Sequence, residues 1–464
     1  MWYILSLMVG QLQFERIVVD SAKELHGVWV AKVNGDNRFD ILATAHNSQG
    51  TMWYEQTVNI NLWQEHWVEP ISPYISEVCA GDFDGDGDQD EIHNECVLSR
   101  LRIGINNGTG VFGCSNISHT ISLPRTFIPA DINNDGRLDF AAGSISNSSV
   151  YWFRNNGGLS FTQFAVGGTL SMPVKIDVFD ANGDGHCEII ASEYNGTNLI
   201  WYDNNGSEVF TPRVVTNMLN PPMGLKAGDF DADGDYDVAV CENDYAGRVI
   251  WCENTGAGFT THPIESGVQL GDGLDIGDID LDGDSDIVVC NYGPTSGSAT
   301  DGSIRLYRNN GAGIFTLQVI DDVFPMDADL PFIVDIDEDS CPDIVMSDFA
   351  GAAGDLILYH QICPTSVEEK GIVPTLFCNV FPIPATRRVD FNLSIPETGE
   401  CGIKIYDMAG NLVYRSNSAF TSGKHILQWN TKDCNGKSVP SGIYFYKIGL
   451  NNYALQGKLI VARF

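Results

Sequence analysis

Basic side chains are scarce in this chain: of 464 residues, 26 are Lys or Arg against 61 Asp or Glu, a formal net charge of -35. That scarcity excludes nucleic acid as a partner, because phosphate binding needs clustered cations and this surface repels a polyanion. No apolar run reaches the roughly 18 residues that span a bilayer, which argues against an integral membrane protein. The 12 cysteines are too dilute for a disulfide scaffold, and the absence of any C-x-x-C pair removes the usual zinc and redox signatures. Cys241 and Cys290, in VAVC and IVVC, read instead as small buried strand residues. There is no G-x-S-x-G, no H-E-x-x-H and no phosphate-binding glycine loop, and the nine histidines share no register, so no catalytic motif is present. No stretch of helical period is long enough to matter. The opening MWYILSLMVG is apolar but lacks the positive flank of a secretory signal; residues 1–13 read either as a signal-peptide remnant or as the entry to a first strand.

What is present is a repeat. The aromatics Phe14, Trp63, Phe112, Phe161, Phe210 and Phe259 each lie 49 residues from the next, and Phe315 follows after 56. Acidic loops beginning at Lys32, Asp82, Asp131, Asp180, Asp229, Asp278 and Asp335 keep the same beat, as do the runs Trp152-Phe153, Trp201-Tyr202 and Trp251-Cys252. Recurrence of Trp152, Trp201 and Trp251 fits an interblade core better than a sugar-stacking platform. One unit reads FTPRVV, MGLKAGDF, DVAVCEN, RVIWCEN, four short β-rich runs separated by Gly, Asn and Asp. Four antiparallel strands per repeat, seven times over, predicts a seven-bladed β-propeller over residues 14–362, with Phe14 to Val19 as the first strand of a blade and the ring closed by packing blade one against blade seven.

The loops follow D-x-D-x-D-G-x-x-D. A hard cation such as Ca²⁺ takes six to eight oxygens, and a tight loop offering them at positions 1, 3, 5 and 9 can wrap it, with glycine at position 6 supplying the turn. An EF-hand is excluded by the β-branched runs that follow directly. Asx turns alone explain a single such loop, but seven in register leave too many carboxylates to repel one another without a cation. The predicted metal ligands are Asp82, Asp84, Asp86 and Asp90; Asp131, Asn133, Asp135 and Asp139; Asp180, Asn182, Asp184 and Glu188; Asp229, Asp231, Asp233 and Asp237; Asp278, Asp280, Asp282 and Asp286; and Asp335, Asp337, Asp339 and Asp343. Blade one departs, with Lys32 for the first acid and Asn34 and Asn37 at positions 3 and 6, so a lysine ammonium or nothing is expected there. Six Ca²⁺ ions would reduce the charge from -35 to about -23.

Together these repeats resemble the FG-GAP/VCBS calcium-loop propellers related to the integrin α-chain head. The resemblance implies a fold, a calcium role and extracellular recognition, without naming a ligand. After Cys363 to Pro374, a linker over residues 363–376, the tail over residues 377–464 alternates strands and turns as an immunoglobulin-like β-sandwich does. Its IYDMAGNLVYRS, SGKHILQWNTKDCNGKSVPSGIYFYKI and GKLIVARF look like a type IX secretion sorting domain, and equally like the related flagellar-hook-cap domain; Pro382-Ile383-Pro384 stands where Pro-Asn-Pro is common. That resemblance implies a protein that engages secretion or anchoring machinery and is secreted or held at the outer membrane and cell surface; the strand repeats make the chain all-β, and the loops on the two faces of a rigid ring make an extracellular glycan or protein ligand the expected partner. A polysaccharide-active lyase-like enzyme and a structural envelope scaffold are the alternatives. The insertion Asn291 to Gly302 offers a loop for ligand contact or simple length drift.

Overall fold

In the computed structural model the chain forms two compact units, Met1–Thr365 and Ser366–Phe464. The structure describes residues 11–45, 50–70, 72, 74–167, 170–181, 184–291, 302–324, 331–347, 354–363, 377–381, 388–395, 399–407, 411–421, 423–434, 436–450 and 453–461. Residues 1–10, Asn182, the interior of the blade-six insertion, residues 364–376 and Pro382-Ile383-Pro384 therefore lie outside the described residues.

The first unit is seven four-stranded antiparallel sheets. Six are consecutive in sequence, over residues 25–70, 78–117, 124–165, 173–216, 222–266 and 271–324 (blades one to six). The seventh combines Phe332–Val334, Asp343–Ser347 and Gly354–Gln361 with the N-terminal strand Phe14–Lys23, which pairs antiparallel to Gly354–Gln361 from Phe14 opposite Gln361. This corrects the expected phase of the repeat. The aromatic of each unit opens the outermost strand of a sheet, or in blade six stands just before it, rather than opening its first strand: Phe210 begins Phe210–Thr216, which completes the sheet of Pro173–Phe179, and the next sheet starts at Pro222–Gly228. The ring is accordingly closed by hydrogen bonds within one sheet as well as by apolar packing of blade one on blade seven, where Leu25, Val28 and Ile41 meet Ile336, Val345 and Leu358.

Alternation along each second strand explains how the ring coheres. In Asp237–Glu242, Val238 and Val240 pack toward blade four while Ala239 and Cys241 pack toward blade six. Every neighbouring pair of blades thus shares one apolar core. Trp152, Trp201 and Trp251 are buried in those cores, as expected.

The second unit packs a three-stranded sheet (Phe377–Phe381, Val389–Ile395, Gly423–Trp429) on a four-stranded one (Leu412–Phe420, Gly399–Asp407, Gly442–Leu450, Tyr453–Val461). Phe391 and Trp429 from the first and Ile403, Ile448 and Leu459 from the second share a single core, the arrangement of a small β-sandwich. Among the described residues no helix is long and apolar enough to cross a membrane.

Candidate metal loops and interblade belt

Each acidic loop joins the innermost strand of a blade to the second. Position 6 has positive φ throughout: Gly87, Gly136, Gly185, Gly234 and Gly283 lie between 83° and 100°, and Asn37 and Ser340 adopt 68° and 82° without being glycine. Position 4 is left-handed too wherever it is described, even as Asn134, Ala232, Leu281 and Glu338. Two such reversals within three residues curl the backbone so that successive odd-numbered side chains converge.

The convergence is uneven. Oxygens of Asp82, Asp84 and Asp86, of Asp229, Asp231 and Asp237, and of Asp278, Asp280 and Asp282 lie within 4.8 Å of one another. The first acid is held by backbone N–H groups, Asp82 accepting from Gly85 at 2.8 Å and Gly87 at 3.0 Å. Its second oxygen is the telling atom: Oδ1 of Asp229, Asp278 and Asp335 is buried with no hydrogen-bond partner, as is Oδ1 of Asp280. A buried carboxylate oxygen with no donor costs several kcal/mol unless a cation satisfies it, so these donor sets fit a hard divalent ion. Asp233 accepts the Asp235 N–H at 2.9 Å, and Asp282 that of Asp284 at 3.1 Å, which leaves an outward lone pair on each.

The other loops carry visible substitutions. In the third, Arg137 pairs with Asp135 at 2.6 Å, and Asn133 donates to Asp135 at 3.2 Å beside Asp131. In the fourth, Asp180 accepts from Asp184 and Gly185, and Glu188 leaves Oε1 buried and unpartnered. In the seventh, His360 joins Asp337 and Asp339, and the neighbouring Cys341 forms a disulfide with Cys363, Cα to Cα 5.8 Å. Blade one replaces cation chemistry with side chains: Lys32 reaches Glu338 of the seventh loop at 2.5 Å and stands 4.7 Å above the Phe39 ring, while Arg38 pairs with Asp36.

The acid at position 9 has a second task that the loop pattern does not announce. Asp90 is fully buried; Oδ2 accepts the N–H of Phe83 at position 2, and Oδ1 accepts the N–H of Asn106, the last residue of Arg100–Asn106. Asp237, Asp286, Asp343 and Asp40 repeat this pair of bonds, and Asp139 and Glu188 repeat one each. Burial, against those N–H bonds, pushes Asp90, Asp237, Asp286 and Glu188 up to about 7 and Asp40 and Asp139 up to about 6. The Asn or Gln that closes the third strand then reaches sideways: Asn155 to Phe83 O at 2.7 Å, Asn106 to Val33 O, Asn204 to Ile132 O, Asn309 to Phe230 O, Gln361 to Ile279 O and Gln56 to Ile336 O. Acid, position 2 and the neighbour's amide thus form a belt that runs from loop to loop and crosses the closure between blades seven and one.

The innermost strands surround a central cavity of about 260 Å³. Lys226 lies 3.5 Å from Asp275; burial works to lower its pKa, but Asp177 and Asp275 outweigh burial and hold it above the ordinary value.

Residues 131–191, 180–240 and 229–289 match the FG-GAP-like repeat, and residues 379–462 match the secretion system C-terminal sorting domain. The chain carries an FG-GAP-like propeller and a sorting tail. That tail marks it for export by type IX secretion to the cell surface or beyond. No curated protein matches. Among solved structures, BBS1N in complex with ARL6DN, soaked with lead, is 13% identical over 76% of this chain and 97% of that one, with TM-score 0.48. A protein from Lactobacillus plantarum is 10% identical over 67% and 88%, with TM-score 0.49.

Proposed function

We propose that this exported propeller is a calcium-stabilised binding module that presents its ring to an extracellular glycan or protein. The observation that carries the reading is the set of buried, partnerless Oδ1 atoms at Asp229, Asp278 and Asp335, with two further acids of the same loop converging on Asp229 and on Asp278. Ca²⁺ would sit between positions 1, 3, 5 and 9, and it would neutralise the acids that the belt hydrogen bonds hold close. With the loops locked, the ring is a rigid platform whose faces and loops are free to recognise a partner. Loops two, five and six supply three converging carboxylates and are the strongest sites; loop three, where Arg137 already pairs with Asp135, is not counted among them. Loop four joins them through Asp180, Asp184 and Glu188, and loop seven through Asp335, Asp337 and Asp339.

The test is a glycan and protein array probed with residues 11–363 in calcium and in chelator. Calcium-dependent capture of a defined ligand supports the reading. Retention of the full chain in the envelope, with no ligand for the ring, turns it into a scaffold, and release of unsaturated uronic products from a polysaccharide turns it into a lyase.

A further inference from the structure

One seam between blades is unlike the rest. The core shared by blades one and two holds seven buried apolar residues, where the other six hold nine to thirteen. The cause lies in Asp90–Glu95, DEIHNE. Its residues facing blade one are Glu91 and His93, at the positions taken by Ile41 and Ala43, Phe140 and Ala142, Ile189 and Ala191, and Val238 and Val240 in other blades. Both are fully buried. An acid and an imidazole taken out of water in place of Ile and Ala cost stability, so the exchange needs a chemical reason.

His93 Nδ1 is bonded to the Glu91 carboxylate at 2.9 and 3.0 Å. Nε2 on the other side is buried, has no hydrogen-bond partner, and lies 3.5 Å from Oε2 of Glu69, which blade one contributes. Arg102 grips that same carboxylate through Nε at 3.0 Å and Nη2 at 2.5 Å. The Cys114 thiol comes to the same place from the outer strand of blade two, donating to the backbone oxygen of Val68, the residue before Glu69, at 3.7 Å. Gly104 leaves the floor open: a Cβ there would fall 2.5 Å from Glu91 Oε1 and 3.3 Å from Cys114 Sγ.

We propose that this seam is a transition-metal site of the Zn²⁺ class, held by Nε2 of His93, Oε2 of Glu69 and Sγ of Cys114, with water as the fourth ligand. Nitrogen, sulfur and one carboxylate oxygen make a donor set that a borderline ion prefers and Ca²⁺ does not. Bonds of about 2.0 Å at a tetrahedral angle place nitrogen and oxygen about 3.3 Å apart, near the separation found. Glu91 on Nδ1 is the outer carboxylate that fixes which imidazole nitrogen binds, and Arg102 orients the ligating Glu69. Formal charge closes at zero: two from the ion and one from Arg102 against Glu69, Glu91 and the Cys114 thiolate. The thiol gives up its proton as the ion enters. Glu69 and Cys114 are partly exposed, so the site opens to the rim of the seam.

The experiment is Co²⁺ titration of the purified full chain in a large excess of Ca²⁺, which keeps hard-ion loops filled. One equivalent should develop a sulfur-to-cobalt charge-transfer band with tetrahedral visible bands, and Zn²⁺ should displace it. Cys114→Ser should abolish the band. His93→Ala, which installs the residue that blades one, three and four already carry at this position, should weaken binding at least tenfold, and Glu91→Gln by about 10–100-fold. No band in the parent chain, or an unchanged band in Cys114→Ser, overturns the proposal in favour of a metal-free network with protons on Nε2 and Sγ. The outcome is independent of the calcium loops and of any glycan ligand.

Discussion

At the scale of single residues, the position-9 acids and the amides that follow them matter more than the D-x-D-x-D pattern conveys. Asp40 keeps both of its backbone bonds in the one loop that has lost its first acid and its glycine, which separates the structural task of position 9 from cation binding. The amide is the lateral half of the same device. Asn155 donates to Phe83 O at 2.7 Å and Leu138 O at 3.1 Å, and accepts from Gly157 at 2.9 Å. Asn155→Ala strands two carbonyls inside the ring, one of them on the neighbouring blade, at a cost of about 2 kcal/mol. Thermal unfolding followed by circular dichroism should show a melting point several degrees lower, whereas the exposed Asn156→Ala should shift it far less; equal shifts for the two would show that the belt contributes nothing. In sequence the belt is visible only as the Asn or Gln that closes each third strand, followed by Asn-Gly in blades two, three, four and six. It was not interpretable there, because the carbonyl it reaches lies more than seventy residues away.

Single loops and strands are the next scale. Loop five gathers Asp229, Asp231 and Asp237, so Asp231→Ala, which removes a ligand oxygen outright, should lower the calcium stoichiometry in isothermal titration by one. Asn133→Ala should leave the count unchanged, because Arg137 already neutralises Asp135; a drop in that variant would place an ion in loop three after all. The seventh loop is braced differently. Cys341 follows Ser340, which occupies the glycine position at φ 82°, and its partner Cys363 comes just after the strand Gly354–Gln361. The cross-link spans 22 residues, and a loop of that size is worth about 3 kcal/mol by chain entropy. Cys363→Ser should therefore melt at lower temperature, and reductant should lower the parent chain to the same value while leaving the variant where it is. Reductant that leaves the parent untouched would argue against the bond. This pairing was out of reach of cysteine counting: twelve cysteines without a framework spacing offer no partner for any one of them, and nine others form no disulfide among the described residues.

For the whole molecule, the seven-fold beat made blade number, strand number and loop position legible before any coordinates, since each marker recurs about every 49 residues. The phase of the repeat was not legible. A periodic pattern can be cut anywhere without changing its period, and only strand pairing shows that the run from Phe210 belongs to the sheet before it and the run from Phe14 to the last sheet. The same closure makes the ring respond to pH as one body. Every described carboxylate whose pKa is displaced is displaced upward, with burial as the leading cause, as at Asp40, Asp90, Asp139, Asp237 and Asp286. An acid raised from 3.8 to about 6 or 7 binds its proton more tightly folded than unfolded, so the folded state holds more protons in that interval. The stability that these groups confer is complete below about pH 4 and is lost as pH rises through 6 to 7. In chelator, the melting temperature of the ring should therefore fall between pH 4.5 and pH 7.5 and level off above. Calcium binds the ionised form, so its stabilisation should be small at pH 4.5 and large at pH 7.5, flattening the curve. Calorimetric scans at several pH values, with calcium and with chelator, decide the matter: two parallel curves would mean that the acids of the loops are not what the ion neutralises.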